Sequence, residues 1–163
     1  MTIKYQIKDN FINKKGLKLM VDTLTHYSFP WYYQNSVAFA NNIKDNHYYF
    51  THLFLVNNEK SSFFYLIEPV LKKLKIKKLI RIKANLYPNL NKKIINDKHI
   101  DYNYKHKGAI FYLNTNNGFT ILKDNIKIKS VENRLLKFDP SIQHSSTHCT
   151  DEKIRLNINI NYF

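Results

Sequence analysis

Near its end the chain alternates with a period of two: Ile154, Leu156, Ile158 and Ile160 share one face of an extended strand, and Arg155, Asn157, Asn159 and Asn161 share the other. Leu79–Tyr87 repeats the pattern, with Ile80, Ile82, Ala84 and Leu86 opposite Arg81, Lys83, Asn85 and Tyr87. Two arrangements fit. In an ordinary antiparallel sheet the polar faces lie in water; in a barrel the apolar faces are covered by helices and the polar faces line a cavity. Other β segments are predicted at His99–Tyr104, Ala109–Asn114, Phe119–Leu122, Ile126–Ser130 and Arg134–Phe138, with the final one running Lys153–Asn161. Asn117-Gly118 is a strong two-residue hairpin signal and Asp124-Asn125 a weaker one, while Asp139-Pro140-Ser141 reads as a turn leading to His144.

Before residue 79 the period is helical. Asp9 to about His26 and Ser61 to about Leu74 carry apolar residues at helix spacing, the second interrupted by Pro69. With no repeat and no linker, the pattern predicts one domain over 1–163, mostly β with flanking helices. Residues 1–78 form a helical support and 79–163 the β core.

Composition narrows the class. A chain of 163 residues, 44% hydrophobic and 15% aromatic, has the apolar surface for one sizeable core. The single cysteine, Cys149, cannot close an intramolecular disulfide, and Met1 to Asn13 lacks the apolar heart of a signal peptide, so a cytoplasmic setting is expected. No stretch approaches the roughly 18 apolar residues of a bilayer span, and no membrane partner is expected. The formal charge of +14 would attract nucleic acid. However, of the 26 basic residues only Arg81, Arg134 and Arg155 are arginine, and the richness in Lys, Asn, Ile, Tyr and Phe follows AT-rich codons. A chain so poor in arginine is a poor reader of bases.

Candidate chemistry sits at His99-Ile100-Asp101, where an imidazole and a carboxylate two residues apart share one side of an extended segment, with Ile100 buried behind. His144 follows 43 residues after Asp101. Two histidines and one carboxylate on one face of a metal form the facial triad of non-haem iron(II) oxygenases, which leaves three positions open. Arg155, on the polar face of the last strand, points into a cavity only if an anion waits there.

Taken together these residues resemble the iron(II)/2-oxoglutarate-dependent oxygenases, in particular their prolyl-hydroxylase-like branch. The resemblance runs from about Ile80 to Phe163 through Leu86-Tyr87-Pro88, His99-Ile100-Asp101, Ile110-Phe111-Tyr112-Leu113-Asn114, Arg134-Leu135-Leu136-Lys137-Phe138, His144 and Arg155. It implies a double-stranded β-helix (a cupin-like jelly roll) with Fe(II) held by His99, Asp101 and His144. It also implies 2-oxoglutarate and O2 as co-substrates, with succinate and CO2 released. Arg155 would pair with the far carboxylate of 2-oxoglutarate, Tyr87 and Tyr112 look like its hydrogen-bonding tyrosines, and Asn85 shares the phase of Tyr87. The 11 residues from His144 to Arg155 fit the family better than the 7 from His148. The loop Pro88–Lys98 lacks the glycines often found there, and the retained Asp101 implies hydroxylation and not halogenation.

The substrate implied is a protein or peptide side chain. The charge of +14 keeps open an oxygenase or demethylase of nucleic acid, and an idle jelly roll that binds a partner protein is the third reading. The run Phe29-Pro30-Trp31-Tyr32-Tyr33 reads as core or helix exit before it reads as a stacking surface. His26, His47, His52 and His106 have no motif partner and read as structural or exposed.

Overall fold

The computed structural model describes residues 4–36 and 48–163, so His47 lies outside the described residues. Its strands are β1 (Gln6–Lys8), β2 (Tyr32–Gln34), β3 (Tyr49–Val56), β4 (Glu59–Lys60), β5 (Leu79–Pro88), β6 (Lys107–Tyr112), β7 (Phe119–Ile121), β8 (Lys127–Lys129), β9 (Arg134–Phe138), β10 (Ser145–Ser146) and β11 (Ile154–Tyr162). The helices are α1 (Lys14–Leu24) and α2 (Glu68–Leu74), the latter entered through a 3-10 turn at Phe64–Ile67. A large antiparallel sheet has the order β1-β9-β6-β11-β5-β3-β2, with β4 beside β3, and a small one has the order β10-β7-β8. Isolated bridges Ile95↔Thr147 and His99↔His144 continue the small sheet past β10. The result is the jelly roll expected from the sequence.

The two faces of the large sheet have different neighbours. Ala84, Ala109, Phe111, Leu135, Leu156, Ile158 and Ile160 pack outward with Met20, Leu24, Val70 and Leu74 of the helices. Ile110, Tyr112, Leu136 and Phe138 face inward and meet Leu122 and Ile128 from the small sheet's side. Arg155, Asn157, Asn159 and Asn161 are all buried, as are Leu156, Ile158 and Ile160 between them. The alternation of β11 therefore records apolar core against a buried polar face, and not core against water.

The first 78 residues are not only a helical support, since β1 to β4 belong to the large sheet. β3 is covered by neighbours, so its run Tyr49–Val56 is nearly continuous in burial and shows no two-residue period to read. Helix α1 begins at Lys14, later than expected, because the Asn13 side chain accepts a hydrogen bond from Gly16 N at 2.8 Å and caps it there. The residues before the cap have other partners: Phe11 N donates to Asn133 O, and Ile12 N to Asn133 Oδ1. Pro69 lies in the first turn of α2, where its missing N–H costs nothing.

The hairpin signals exchanged ranks. Asp124 and Asn125 have φ of 59° and 57° and turn β7 into β8, a primed turn that matches strand twist. Asn117-Gly118 joins no paired strands, because β6 pairs with β9 and β11 and not with β7. Phe29 is buried against Trp31, His52 and Phe63, while Tyr32 and Tyr33 are exposed on β2. His52 bonds to Pro30 O and Ser61, and His106 to Tyr104 O and Asn161, whereas His26 is exposed; all three are structural or solvated as expected.

Asn133 holds the N-terminal segment to the barrel, with φ of 60° and both amide atoms bonded to Ile12. Asn133→Ala strands a buried donor and acceptor and keeps the unfavourable φ. It is expected to lower stability by about 2–4 kcal/mol in urea unfolding.

Candidate metal centre and anion pocket

The turn at Asp139-Pro140-Ser141 forms as expected: the Asp139 carboxylate accepts from the backbone N and hydroxyl of Ser141. It delivers the chain antiparallel to the segment ending at Asp101. His99 N donates to His144 O and His144 N to His99 O, both at 2.9 Å, so the two histidines stand directly opposite each other. Their ring centroids are 4.5 Å apart. Asp101, two residues on, has its N–H bonded to Pro140 O, and one ligand atom from each of His99, Asp101 and His144 lies within 4.8 Å of the others.

One bridge, at His99, and no ladder strand forms in His99–Tyr104, and Ile100 is 41% exposed, not buried. Period two still sends His99 and Asp101 to one side, but no layer covers the other.

Each ring is oriented by a backbone carbonyl. His144 Nδ1 lies 3.0 Å from Ile142 O, and His99 Nδ1 lies 3.4 Å from Asp97 O. Donation from Nδ1–H leaves the Nε2 lone pair for a cation. Burial and the neighbouring His144 ring push the His99 imidazole down to about 4, so it is neutral and ready to ligate near neutrality. Asp101 Oδ1 accepts from Arg81 Nη2 at 3.1 Å, and Oδ2 from Asn159 Nδ2 at 3.2 Å. Burial alone would raise this carboxyl, but His144, Arg81, His99 and the Asn159 bond outweigh it and hold the acid ionised. Two imidazoles and one carboxylate suit iron(II) better than calcium or magnesium.

Arg155 is 1% exposed. Its Nε donates to Ser130 Oγ at 2.8 Å and Nη2 to Thr120 Oγ1 at 3.2 Å, while Nη1 makes no hydrogen bond. Among the described residues no carboxylate pairs with it. A buried guanidinium with an idle N–H group fits an anionic ligand. The rings of Tyr87 and Tyr112 lie 5.2 and 5.8 Å from the guanidinium carbon, and Tyr112 Oη donates to the same Thr120 hydroxyl. Asn85 is near them, bonded through Nδ2 to Asn157 Oδ1, with its own Oδ1 buried and unbonded. A Cβ on Gly118 would fall 2.5 Å from Arg155 Cδ, so this glycine is required for room and not for a turn. His148 is buried with its ring steeply inclined to that of Tyr87 and Nδ1 on Pro88 O, apart from the group of His99, Asp101 and His144. Thr120 and Ser130 escape sequence reasoning, because a lone hydroxyl in a short strand carries no spacing signal.

No protein-family model and no curated protein matches the sequence. Solved structures do. A collagen prolyl hydroxylase of Paramecium bursaria Chlorella virus 1, in complex with 2-oxoglutarate, superposes with a TM-score of 0.64 at 11% identity, over 96% of this chain and 93% of that one. A prolyl hydroxylase of Trichoplax adhaerens, in complex with a fragment of the oxygen degradation domain of hypoxia-inducible factor, reaches 0.70 at 16%, over 99% and 84%. This chain has the oxygenase jelly-roll fold. The non-haem, α-ketoglutarate-dependent carbocyclase of nogalamycin biosynthesis also matches, with a TM-score of 0.69 at 7% identity over 98% and 79%, so the fold by itself does not choose the reaction.

The depressed His99 value has a thermodynamic consequence. The unfolded imidazole takes a proton below about 6.5, and the folded one refuses it until about 4. The contribution of His99 to stability is therefore full above pH 6.5 and lost as pH falls toward 4, by up to about 3 kcal/mol. In chelator-treated protein the urea midpoint should drop between pH 7 and 4.5, with a shallower drop in His99→Asn; parallel profiles would refute the assignment.

Proposed function

We propose that this chain is an iron(II)- and 2-oxoglutarate-dependent oxygenase that hydroxylates a protein or peptide side chain in the cytoplasm. The observation that carries this reading is the convergence of His99, Asp101 and His144 within one cation's reach, together with the unpaired, buried Arg155. The three side chains would hold the metal, and Arg155 would take the far carboxylate of the diacid beside Tyr87, Tyr112 and Asn85. Metal and 2-oxoglutarate, when bound, supply the activation of O2, with succinate and CO2 as by-products.

The chain's own residues do the positioning. Arg81 and Asn159 keep Asp101 charged and fix its plane. The carbonyls of Asp97 and Ile142 set the imidazole tautomers. The packed faces of β5 and β11 keep bulk water from the guanidinium.

A peptide substrate is supported by the groove beside the centre. A cavity of about 460 Å³ lies between Ile95–Lys98 and the β7–β8 hairpin, and it shares Lys98, Ile121 and Asn125 with a second of about 280 Å³ that reaches His144. The nucleic-acid reading loses ground because Arg134 is held by both oxygens of Asp9 and Arg155 is buried away from any surface track. An idle binding protein is disfavoured by retention of every ligand.

Anaerobic titration with Fe(II) and 2-oxoglutarate should raise a visible charge-transfer band, absent in His99→Ala and Asp101→Ala. Arg155→Leu and Gly118→Ala should weaken 2-oxoglutarate on the order of 10- to 100-fold while iron still binds. A wild-type protein that gives no band defeats the proposal.

A further inference from the structure

The polar face of β5 carries more positive charge than a diacid co-substrate uses. Pairing with β11 sets Arg155 opposite Tyr87, Asn157 opposite Asn85, Asn159 opposite Lys83 and Asn161 opposite Arg81. Lys83 therefore shares the inward, polar face of β5 with Tyr87 and lies about 13 Å along the strand from it, given the rise of extended chain. That is the end where Asn159 and Arg81 hold Asp101.

Lys83 is partly buried, and among the described residues its ammonium has one hydrogen-bond partner, the hydroxyl of buried Tyr49 at 3.4 Å. Among the described residues no carboxylate pairs with it. Asp101 faces it, but both Asp101 oxygens are already engaged. The neighbouring Arg81 has an Nε–H that is buried and unbonded. Burial, then repulsion from Arg81, pushes the Lys83 ammonium down to about 8. A lysine serving only as filler would direct its head to water along its flexible stem; this one turns toward the Tyr49 hydroxyl.

Counting charge gives the same answer. Against Asp101 and a dianionic co-substrate stand a divalent metal, Arg155, Arg81 and Lys83, which leaves two positive charges uncompensated. Resting on the oxygenase reading, we propose that Lys83 and Arg81 form a second anion site, which receives a carboxylate of the substrate. The peptide hydroxylated carries an acidic residue close to the modified position. A nucleic-acid strand fits less well, because the groove lining mixes Asp97 and Asp124 with its lysines, whereas a continuous polyanion wants a cationic track.

The test uses fluorescein-labelled, proline-containing peptides of about ten residues in matched sets, with Glu, Gln or Lys at each position flanking the proline. Anisotropy is read anaerobically with Fe(II) and 2-oxoglutarate present. The wild type should bind at least one Glu form about tenfold more tightly than its Gln partner. Lys83→Gln should erase that difference, and Lys83→Glu should turn it toward the Lys form. Because Lys83→Gln removes a partly buried cation that is repelled by Arg81, its urea midpoint should equal or exceed that of the wild type. Equal binding of Glu and Gln forms, no binding by any set, a preference that survives Lys83→Gln, or stronger capture of a single-stranded oligonucleotide than of every Glu peptide overturns the proposal. Failure of the oxygenase reading itself shows separately, as a wild-type protein without the charge-transfer band.

Discussion

Two backbone hydrogen bonds between His99 and His144 set the geometry on which the candidate site depends. An antiparallel bridge places opposed residues side by side, so one pair of N–H···O contacts converts a separation of 45 residues into adjacent imidazoles. Asp101 then falls on the same side by strand alternation, and its own N–H is tied to Pro140 O in the turn that launches the His144 segment. The three candidate ligands are held by main-chain bonding, the stiffest element available. A slip of one residue would send His144 to the opposite face.

The second constraint is the burial of polar groups. β5 and β11 are covered on both faces, outward by helices and inward by the small sheet, so their inward side chains must find partners or await a ligand. Most find them: Asn85 with Asn157, Asn161 with Asn159 and His106, Tyr87 with Ser146. The atoms left over include Arg155 Nη1, Arg81 Nε and Asn85 Oδ1, and all three belong to the inward face of β5 and β11. Packed interiors rarely leave such atoms idle unless a bound molecule completes them.

Charge is organised at two levels. The lysines are spread along the chain and account for most of the +14. The arginines occur at three points, against Asp101, against Asp9 and buried beside Ser130 and Thr120, where a planar, multidentate donor does what an ammonium cannot. The net charge is thus a weak guide to function here, and the placement of three residues is a strong one.

The alternation of β5 and β11, the His99-Ile100-Asp101 spacing and the polar identity of Arg155 were all legible in the sequence, because a two-residue period and a motif spacing are local properties. They determined a β-rich barrel with a candidate metal triad. Local patterns could not show that Tyr49–Val56 is a covered strand, nor that Asn117-Gly118 makes room for Arg155 while Asp124-Asn125 turns the hairpin. Each of these depends on which strands pair, and pairing is decided between segments far apart in the chain. The same reason hides Thr120, Ser130, Arg81 and Lys83. Their roles come from what stands opposite them across a sheet or cavity, and only the tertiary structure, by closing one sheet over the other, supplies that neighbour.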